Sequence, residues 1–370
     1  MTGTADLLVI GGGLHGCSAA LHAAMRGFSV IVVEKDTVAR HASGVNGGGV
    51  RRLGRHFAEI PISNRSMEIW RKIEDLVDDD CGFQVAPQIR VIEFEQDLEA
   101  QEKRTADVRA LGFNHEIMLD QKELRSYLPA VAPHCVGALA SLEDGFALPF
   151  QTTFAFKRKA EVLGVRFYEG TRALTIARDG QSWKLSCSGD QVFAGRYLLN
   201  CAGAWSGEFA RQAGERAPVE AVAPMMLVTQ RMPHFCDAVV GAAGRPLSFK
   251  QMPNGTVVVG GGTRGRAEPD TNITDMYFNE LRRSAKTAID IFPIMASANI
   301  VRSWSGIEAL MPDRIPVIGA SSTEENLFHA FGFSEHGFQM GPAVGEIMAE
   351  LIVNGTTNAH IEPFSITRFA

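Results

Sequence analysis

Three short stretches of the chain concentrate the residue types that cradle phosphates and stabilise developing charge. In the first, Gly11, Gly13 and Gly16 stand as G-x-G-x-x-G within GGGLHG, after the apolar run 6–10 (DLLVI) and before the Ala-rich stretch 17–25. Glu34 follows at the end of a second β-branched run, 29–33 (SVIVV), with Lys35 beside it. Glycine turns are common, so the flanks give the match its meaning. A buried strand, a turn and a helix start form the arrangement in which backbone N–H groups and the helix dipole stabilise a pyrophosphate. The first glycine permits the tight turn and the second lets the backbone approach the phosphates, while a carboxylate at position 34 accepts from both ribose hydroxyls and disfavours a 2′-phosphate. The spacing predicts a dinucleotide site.

The second stretch, Ser43, Gly44, Asn46, Gly47 and Gly48, lies just after this βαβ unit, where its amides can wrap a second phosphate or a ring. The third, FGFSEHGFQMG at 331–341, is another glycine-rich strand-to-helix turn. A second helix N-terminus suits the pyrimidine edge of a flavin, on which negative charge develops during reduction. A nicotinamide cofactor does not require the C-terminus to return to it, so the pair of turns points to FAD rather than NAD. Arg52 and Arg55 follow shortly after the second stretch, and each carries the planar guanidinium fork that suits a carboxylate. Surface or helix-capping roles are their alternative. His56 and His336 are the polar groups expected nearest the flavin, in positioning or electrostatic roles, and no general base is assigned. His15, inside the first turn, reads as a packing residue.

The elements that must position these residues fall into an interrupted pattern. Residues 1–36 read as one βαβ unit, with Gly27 ending its helix. Helices are expected near 62–77, 98–111, 153–163, 274–292 and 341–354, and strands at 85–94, 165–168, 173–178, 183–186, 197–200 and 327–331. Residues 218–259 look strand-rich, and Asn254-Gly255 between apolar runs predicts a hairpin turn. The expected fold is mixed α/β: a Rossmann-type FAD-binding domain with an inserted, mainly antiparallel substrate domain. The expected division gives 1–82, 145–218 and 301–370 to the FAD-binding domain, and 83–144 and 219–300 to the substrate-binding domain.

Composition narrows the function classes. A formal net charge of −6, with no basic run carrying interleaved aromatics, argues against nucleic acid. The six cysteines, Cys17, Cys81, Cys135, Cys187, Cys201 and Cys236, include no C-x-x-C pair, so iron–sulfur and zinc spacings are absent and buried free thiols are expected. No metal site is expected. No apolar run reaches the length of a membrane span. Met1 runs almost directly into the first strand, which leaves no signal peptide, and a cytoplasmic protein is the simplest expectation.

Five motifs in order resemble the D-amino acid oxidase-type FAD-dependent oxidoreductases: GGGLHG with Glu34-Lys35, SGVNGGGVRRLGRH, NCAGAW (200–205), RSWSGIEALMPDRIPVIG (302–319) and HAFGFSEHGFQMGP (329–342). The wording is closest to the hydroxyproline dehydrogenase, opine oxidase and sarcosine oxidase β-type subunits. The resemblance implies that Gly11, Gly13, Gly16, Glu34 and Lys35 hold the ADP half of FAD. It implies that Ser43, Asn46, Gly47 and Gly48 border the pyrophosphate and isoalloxazine, and that Ala202, Gly203, Trp205 and Gly306 lie beside the cofactor. Gly332, Phe333, His336, Gly337 and Gln339 are expected at the flavin pyrimidine edge. The sequence departs from the family in two places. Where glycine oxidase and D-amino acid oxidase carry the carboxylate-gripping arginine of a G-L-R-P motif, this chain reads Gly306-Ile307-Glu308, so Glu308 faces a cation or the grip comes from Arg52 and Arg55. The cysteine that links flavin covalently in monomeric sarcosine oxidase has no counterpart after Cys236, so FAD is expected noncovalent. The implied activity is oxidation of a small amino or imino acid, D-hydroxyproline-like or another secondary amine, to the imine. Alternatives are an opine, sarcosine, glycine or D-amino acid oxidase, and a subunit that passes electrons to an iron–sulfur partner in a hetero-oligomer.

Overall fold

The computed structural model describes residues 2–370 and builds them into two large sheets. The first sheet begins with Gly3–Ile10, whose last four residues are buried on both faces, as a strand between helical layers must be. It pairs in parallel with Val30–Val33 on one side and Val192–Asn200 on the other. Arg166–Tyr168 extends the parallel set beyond Val30–Val33, and Leu327–Phe331 adds in parallel to Val192–Asn200. The strands Ala173–Asp179 and Ser182–Cys187 continue it antiparallel. The parallel neighbours Gly3–Ile10 and Val30–Val33 are joined through the helix Leu14–Met25, the crossover that parallel pairing needs.

The second sheet has eleven strands, and every pairing in it is antiparallel except that of Val239–Ala242 with Gln88–Ile92. Its long strand Glu220–Thr229 pairs with Ile300–Ser305 and Glu308–Leu310, so the chain stays in this sheet past residue 301 before returning to the first. The hairpin expected at Asn254-Gly255 joins Ser248–Gln251 to Val257–Gly260, with Gly255 at φ +87°. Each sheet has its own apolar core, one around Leu7, Trp70, Phe156 and Met340 and another around Ile89, Met225, Phe249 and Phe292. All six cysteines are buried free thiols. Among the described residues, no helix is long and apolar enough to cross a membrane.

Local departures from the sequence reading have physical causes. The helix expected over 62–77 is two, Ile60–Trp70 and Ile73–Val77. The strand expected over 85–94 is instead two short ones, Gln84–Val85 and Gln88–Ile92, with Pro87, which has no N–H to donate, between them. The region 274–292 opens with the short strand Ile273–Asp275 before its helix Phe278–Ile291. The C-terminal helix begins at Gly337, not at Gly341, and runs to Asn354 with Pro342 inside it. Gly341 is there for packing: a Cβ on it would stand 2.6 Å from the Leu14 side chain. Around Pro342 the ladder is replaced by side chains, with Ser66 Oγ and Trp70 Nε1 both donating to the Gln339 carbonyl.

This helix crosses the nucleotide helix Leu14–Met25 in close contact. Ser18 Oγ donates to the Pro342 carbonyl at 3.2 Å, and a Cβ on Gly345 would meet Ser18 Oγ at 2.1 Å and the Ala19 nitrogen at 2.6 Å. Neither neighbour is the free end of a flexible chain. Gly345→Ala is therefore expected to destabilise the protein by roughly 1–3 kcal/mol through overpacking. Its denaturant midpoint, measured beside that of the parent protein, checks this, and an unchanged midpoint would mean the helices can part without cost.

Candidate active site

Between the two sheets lies a cavity of about 1040 Å³ into which both glycine turns open. One end is built by the first turn. Gly11 has φ +106°, and a Cβ on it would lie 2.4 Å from the Cys201 carbonyl, so only glycine lets the turn pass under the strand Val192–Asn200. Gly13, the N-cap of the nucleotide helix, has no side chain of its own to cap it, and both Gly13 and Leu14 line the cavity. Ser43 Oγ takes the first helical N–H, that of Leu14, at 2.9 Å. Glu34 is buried and accepts from the Gly12 and Asp36 amides at 2.7 and 2.9 Å; burial raises its pKa, and those amides pull it back down. Lys35 lies 4.0 Å over the Trp205 ring and pairs with Asp36.

The loop after this unit forms the floor. Asn46 holds it by accepting from the Gly48 amide at 2.8 Å and donating to the Ala42 carbonyl at 2.9 Å. Gly47, Gly48 and Gly306 line the wall, and a Cβ on Gly306 would strike Val45 at 2.2 Å. Ala202 and Gly203 close the side nearest the first sheet.

The other turn is strained. Gly332, Ser334 and Glu335 have φ of +76°, +51° and +72°, so two non-glycine residues occupy the left-handed region side by side. Hydrogen bonds hold them there: the Met311 amide donates to Ser334 Oγ at 3.0 Å and the Glu335 amide to Glu308 Oε1 at 2.7 Å. Such strain persists only where the surroundings over-determine it, and it clusters at functional sites. The result is that the N-terminus of Gly337–Asn354, with no side-chain cap, faces the cavity beside Gly332, Phe333 and His336. Phe333 stacks on His15 at 3.6 Å, and burial holds His15 neutral with a pKa of about 3, in keeping with a packing role.

The structure redistributes the remaining expected residues. Arg52 is off the cavity wall, its Nε bound to Asp144 at 2.8 Å. Arg55 reaches the wall but its guanidinium is taken by the Arg51 and His336 carbonyls at 2.9 and 2.8 Å and by Gln339 Oε1 at 3.0 Å. His56 is exposed and caps the 3-10 helix Phe57–Glu59. Gln339 is off the wall, its amide spent on Arg55 and Ser63. Gly16 is likewise off the wall; a Cβ on it would lie 2.0 Å from the Gly11 carbonyl, so it permits the helix to approach the turn. His336 lies 3.4 Å from Glu59, and burial keeps its pKa down. Glu308 is on the wall, where burial and the charge of Glu335 push its pKa up to about 7.

Two arginines the sequence reading passed over stand on the wall instead, Arg51 and Arg90. Arg90 sits mid-strand in QIRVI among buried apolar neighbours, and a charge in such a run was the available signal. Lys250, on the strand Ser248–Gln251, is also unanticipated: it is buried beside Gly48, and desolvation pushes its pKa down to about 8.

The family description "FAD dependent oxidoreductase" matches residues 6–351. The chain belongs to this family. Among curated relatives, hydrogen cyanide synthase subunit HcnC of Pseudomonas aeruginosa is 24% identical, the match covering 100% of this chain and 97% of that one. An opine oxidase subunit of Rhizobium meliloti is 26% identical, covering 98% and 97%. The beta subunit of sarcosine oxidase from an Arthrobacter species is 24% identical, covering 98% and 91%. Among solved structures, L-proline dehydrogenase from P. horikoshii superposes with a TM-score of 0.91 at 24% identity, covering 100% and 98% of the two chains. Glycine oxidase from Geobacillus kaustophilus superposes at 0.90 and 21%, covering 99% of each. This FAD-dependent oxidoreductase thus has the mixed α/β fold and the cofactor that its two glycine turns imply.

Glu308 provides a test of the cavity's electrostatics. Its ordinary value is 4.5 and its folded value about 7, so the folded state binds the proton more tightly. Below pH 4.5 both states are protonated and nothing is lost; above pH 7 the buried carboxylate destabilises the fold by up to about 3 kcal/mol. Stability should therefore fall as pH rises from about 4.5 to about 7, and Glu308→Gln should lose that component. Parallel stability–pH curves for the two proteins would show that the carboxyl is not held up.

Proposed function

We propose that this flavoenzyme oxidises the C–N bond of a small amino or imino acid to the imine, with a secondary amine of the hydroxyproline type as the leading substrate. The observation that carries this reading is the cavity itself, which is lined by the N-termini of two helices and by arginines without ion-pair partners. FAD would lie along it, with Glu34 on its ribose, the Gly11–Gly13 turn and the Ser43–Gly48 loop on its phosphates, and the Gly332–Gly337 turn at the flavin. When bound it supplies a two-electron acceptor. We read its attachment as noncovalent: Cys201 is the cavity-wall cysteine among the described residues, and burial pushes its thiol up, away from the thiolate. We further assign 1–82, 145–218 and 301–370 to a cofactor-binding unit and 83–144 and 219–300 to a substrate-binding unit, with residues 300–310 adding strands to the sheet of the latter.

The chain's own residues contribute binding, orientation and exclusion of water. Arg51 and Arg90 take over the carboxylate grip expected of Arg52 and Arg55, because theirs are the unexposed guanidiniums on the wall that keep donors uncommitted. Amine oxidation needs a neutral amine and a C–H aimed at the acceptor, and no protein base is obligatory. His336, kept neutral beside Glu59, positions the turn at the C-terminal helix rather than taking a proton.

A second reading, that the chain is the flavin-bearing member of a larger assembly passing electrons to an iron–sulfur partner, rests on relatives that are themselves subunits of hydrogen cyanide synthase, sarcosine oxidase and opine oxidase. One experiment addresses both. The purified protein should be yellow and should release its flavin on acid precipitation. Mixed anaerobically with proline, hydroxyprolines, opines, sarcosine and D-amino acids, it should bleach with one or more of the secondary amines. Fast reoxidation by O₂ indicates an autonomous oxidase, and slow reoxidation a dehydrogenase or a member of a complex. A colourless protein, or one bleached only by primary D-amino acids, overturns the substrate reading.

A further inference from the structure

Charged side chains crowd together where the loop after the nucleotide unit meets the strand Gln88–Ile92, and they do not balance. Three are carboxylates, each already engaged. Asp144 accepts from Arg52 Nε, and Glu116 accepts from Arg104 Nε, both at 2.8 Å. Glu59 faces His336 at 3.4 Å and acts on Arg55, whose own donors go to carbonyls and Gln339. That leaves the guanidiniums of Arg51 and Arg90. Neither has a carboxylate partner among the described residues; Arg51 donates to the Leu53 carbonyl, and Arg90 makes no hydrogen bond. The neighbouring histidines do not alter the sum, since burial favours the neutral form of both His115 and His336.

The excess is two positive charges, both on the cavity wall, and an arginine does not shed its charge at neutral pH. Burial, joined by the charges of Arg51 and Arg104, brings the Arg90 pKa down to about 10, so the two guanidiniums feel each other. The buried carboxyls Glu34 and Glu308, also on the wall, accept from backbone amides and form no ion pair with either arginine, and buried Lys250, off the wall, lies over the Phe146 ring. Glu335 is held by Arg264 at 2.8 Å and Arg314 at 3.1 Å, and Arg245 by Asp290 at 2.8 Å, while Arg40 and Arg172 are exposed. Desolvated charge without a counter-ion is unfavourable, and a bound anion is the remaining way to compensate it. A single carboxylate answers one of the two guanidiniums; two answer both.

We propose that the substrate of this oxidoreductase is a dianionic amine, a small amino acid with a second carboxylate, whose two acid groups are held by Arg51 and Arg90. The inference rests on the amine-oxidation reading, keeps its C–N chemistry, and replaces the monoacid hydroxyproline-type substrate by a diacid. Each guanidinium provides a planar fork for a carboxylate, which a lysine at either position would lack.

The test uses the flavin-loaded protein and matched pairs. Malonate and glutarate are titrated against acetate and butyrate, following perturbation of the flavin absorption spectrum; this readout does not require turnover. Iminodiacetate against sarcosine, and glutamate against glutamine, are compared by anaerobic flavin reduction. The diacid of each pair should act at a concentration roughly 30-fold or more below its monoacid partner, the discrimination typical of a buried charge pair. Arg51→Met and Arg90→Met should each bring the ratio to within about three-fold, and Arg90→Lys should restore part of it. Equal action of diacids and monoacids on the parent protein overturns the proposal, and that comparison stands even where a Met variant fails to hold flavin. If Arg90→Met instead shifts the flavin potential and weakens both acids equally, the excess charge serves the cofactor and the proposal fails. Diacid-selective binding with no amine reducing the flavin would leave the dianion site standing and refute amine oxidation.

Discussion

Two helices can aim their positive ends into one cavity only when their axes come close, and everything at this site depends on that approach. The contact between Leu14–Met25 and Gly337–Asn354 is made of glycines laid against side chains: Gly341 on Leu14, Gly345 on Ser18, and Gly337 on His15 and Phe333. A methyl group at any of these positions would stand within 3 Å of a neighbour. With the phosphates on the first helix and the flavin on the second, as proposed, their spacing would set the length of cofactor the cavity accepts. Rossmann geometry supplies only the first of them. The second is delivered by a chain that leaves the sheet near residue 200, re-enters it at Val317–Ala320, and reaches the helix from Leu327–Phe331, paired to the strand it left.

The strain at Ser334 and Glu335 follows from this requirement. The helix has to start within a short turn of the strand Leu327–Phe331, and the turn reverses direction through three left-handed residues, only one of which is glycine. What holds the other two is the segment carrying Glu308, through the Glu335 amide and the Ser334 contacts with Ala309 and Met311. Glu308 is therefore tied to the conformation of the flavin turn as well as to the charge of the cavity. An arginine at that position could not accept the Glu335 amide, so a carboxylate there and a substrate grip elsewhere belong together.

The parts legible in the sequence were those whose signal is local. The first turn carries its glycines, its strand and its carboxylate within 34 residues, and the strand Leu327–Phe331 has the bounds that its apolar run predicts. What stayed hidden depends on side-chain direction across long separations. Arg51 and Arg52 are adjacent, and nothing local says which one turns toward Asp144, 92 residues away, and which toward the cavity. Arg90 lies in a strand that looks like core, and its neighbour Gln88 is buried and donates to the Gly145 carbonyl at 2.8 Å. Gly341 misled the helix start because a glycine demanded by packing looks the same in sequence as one demanded by a turn.

The two sheets meet around the cofactor cavity, and a small set of side chains locks that arrangement at the nucleotide end. Asn272, itself left-handed at φ +58° in the hairpin between Arg264–Glu268 and Ile273–Asp275, donates to Asp36 at 3.2 Å and accepts from Lys35. Trp205, under the Lys35 ammonium, donates to the Pro269 carbonyl of the same hairpin at 3.1 Å. The second sheet thus bonds to Lys35, Asp36 and Trp205, the first two of which directly follow Glu34. Since the same sheet carries Arg90 and Glu308, these hydrogen bonds tie the charges they bring to the cavity wall to the residues that follow the strand Val30–Val33. With cofactor and substrate seated as proposed, separating the sheets would disturb both ends of the cavity together, and cofactor retention would be coupled to substrate placement.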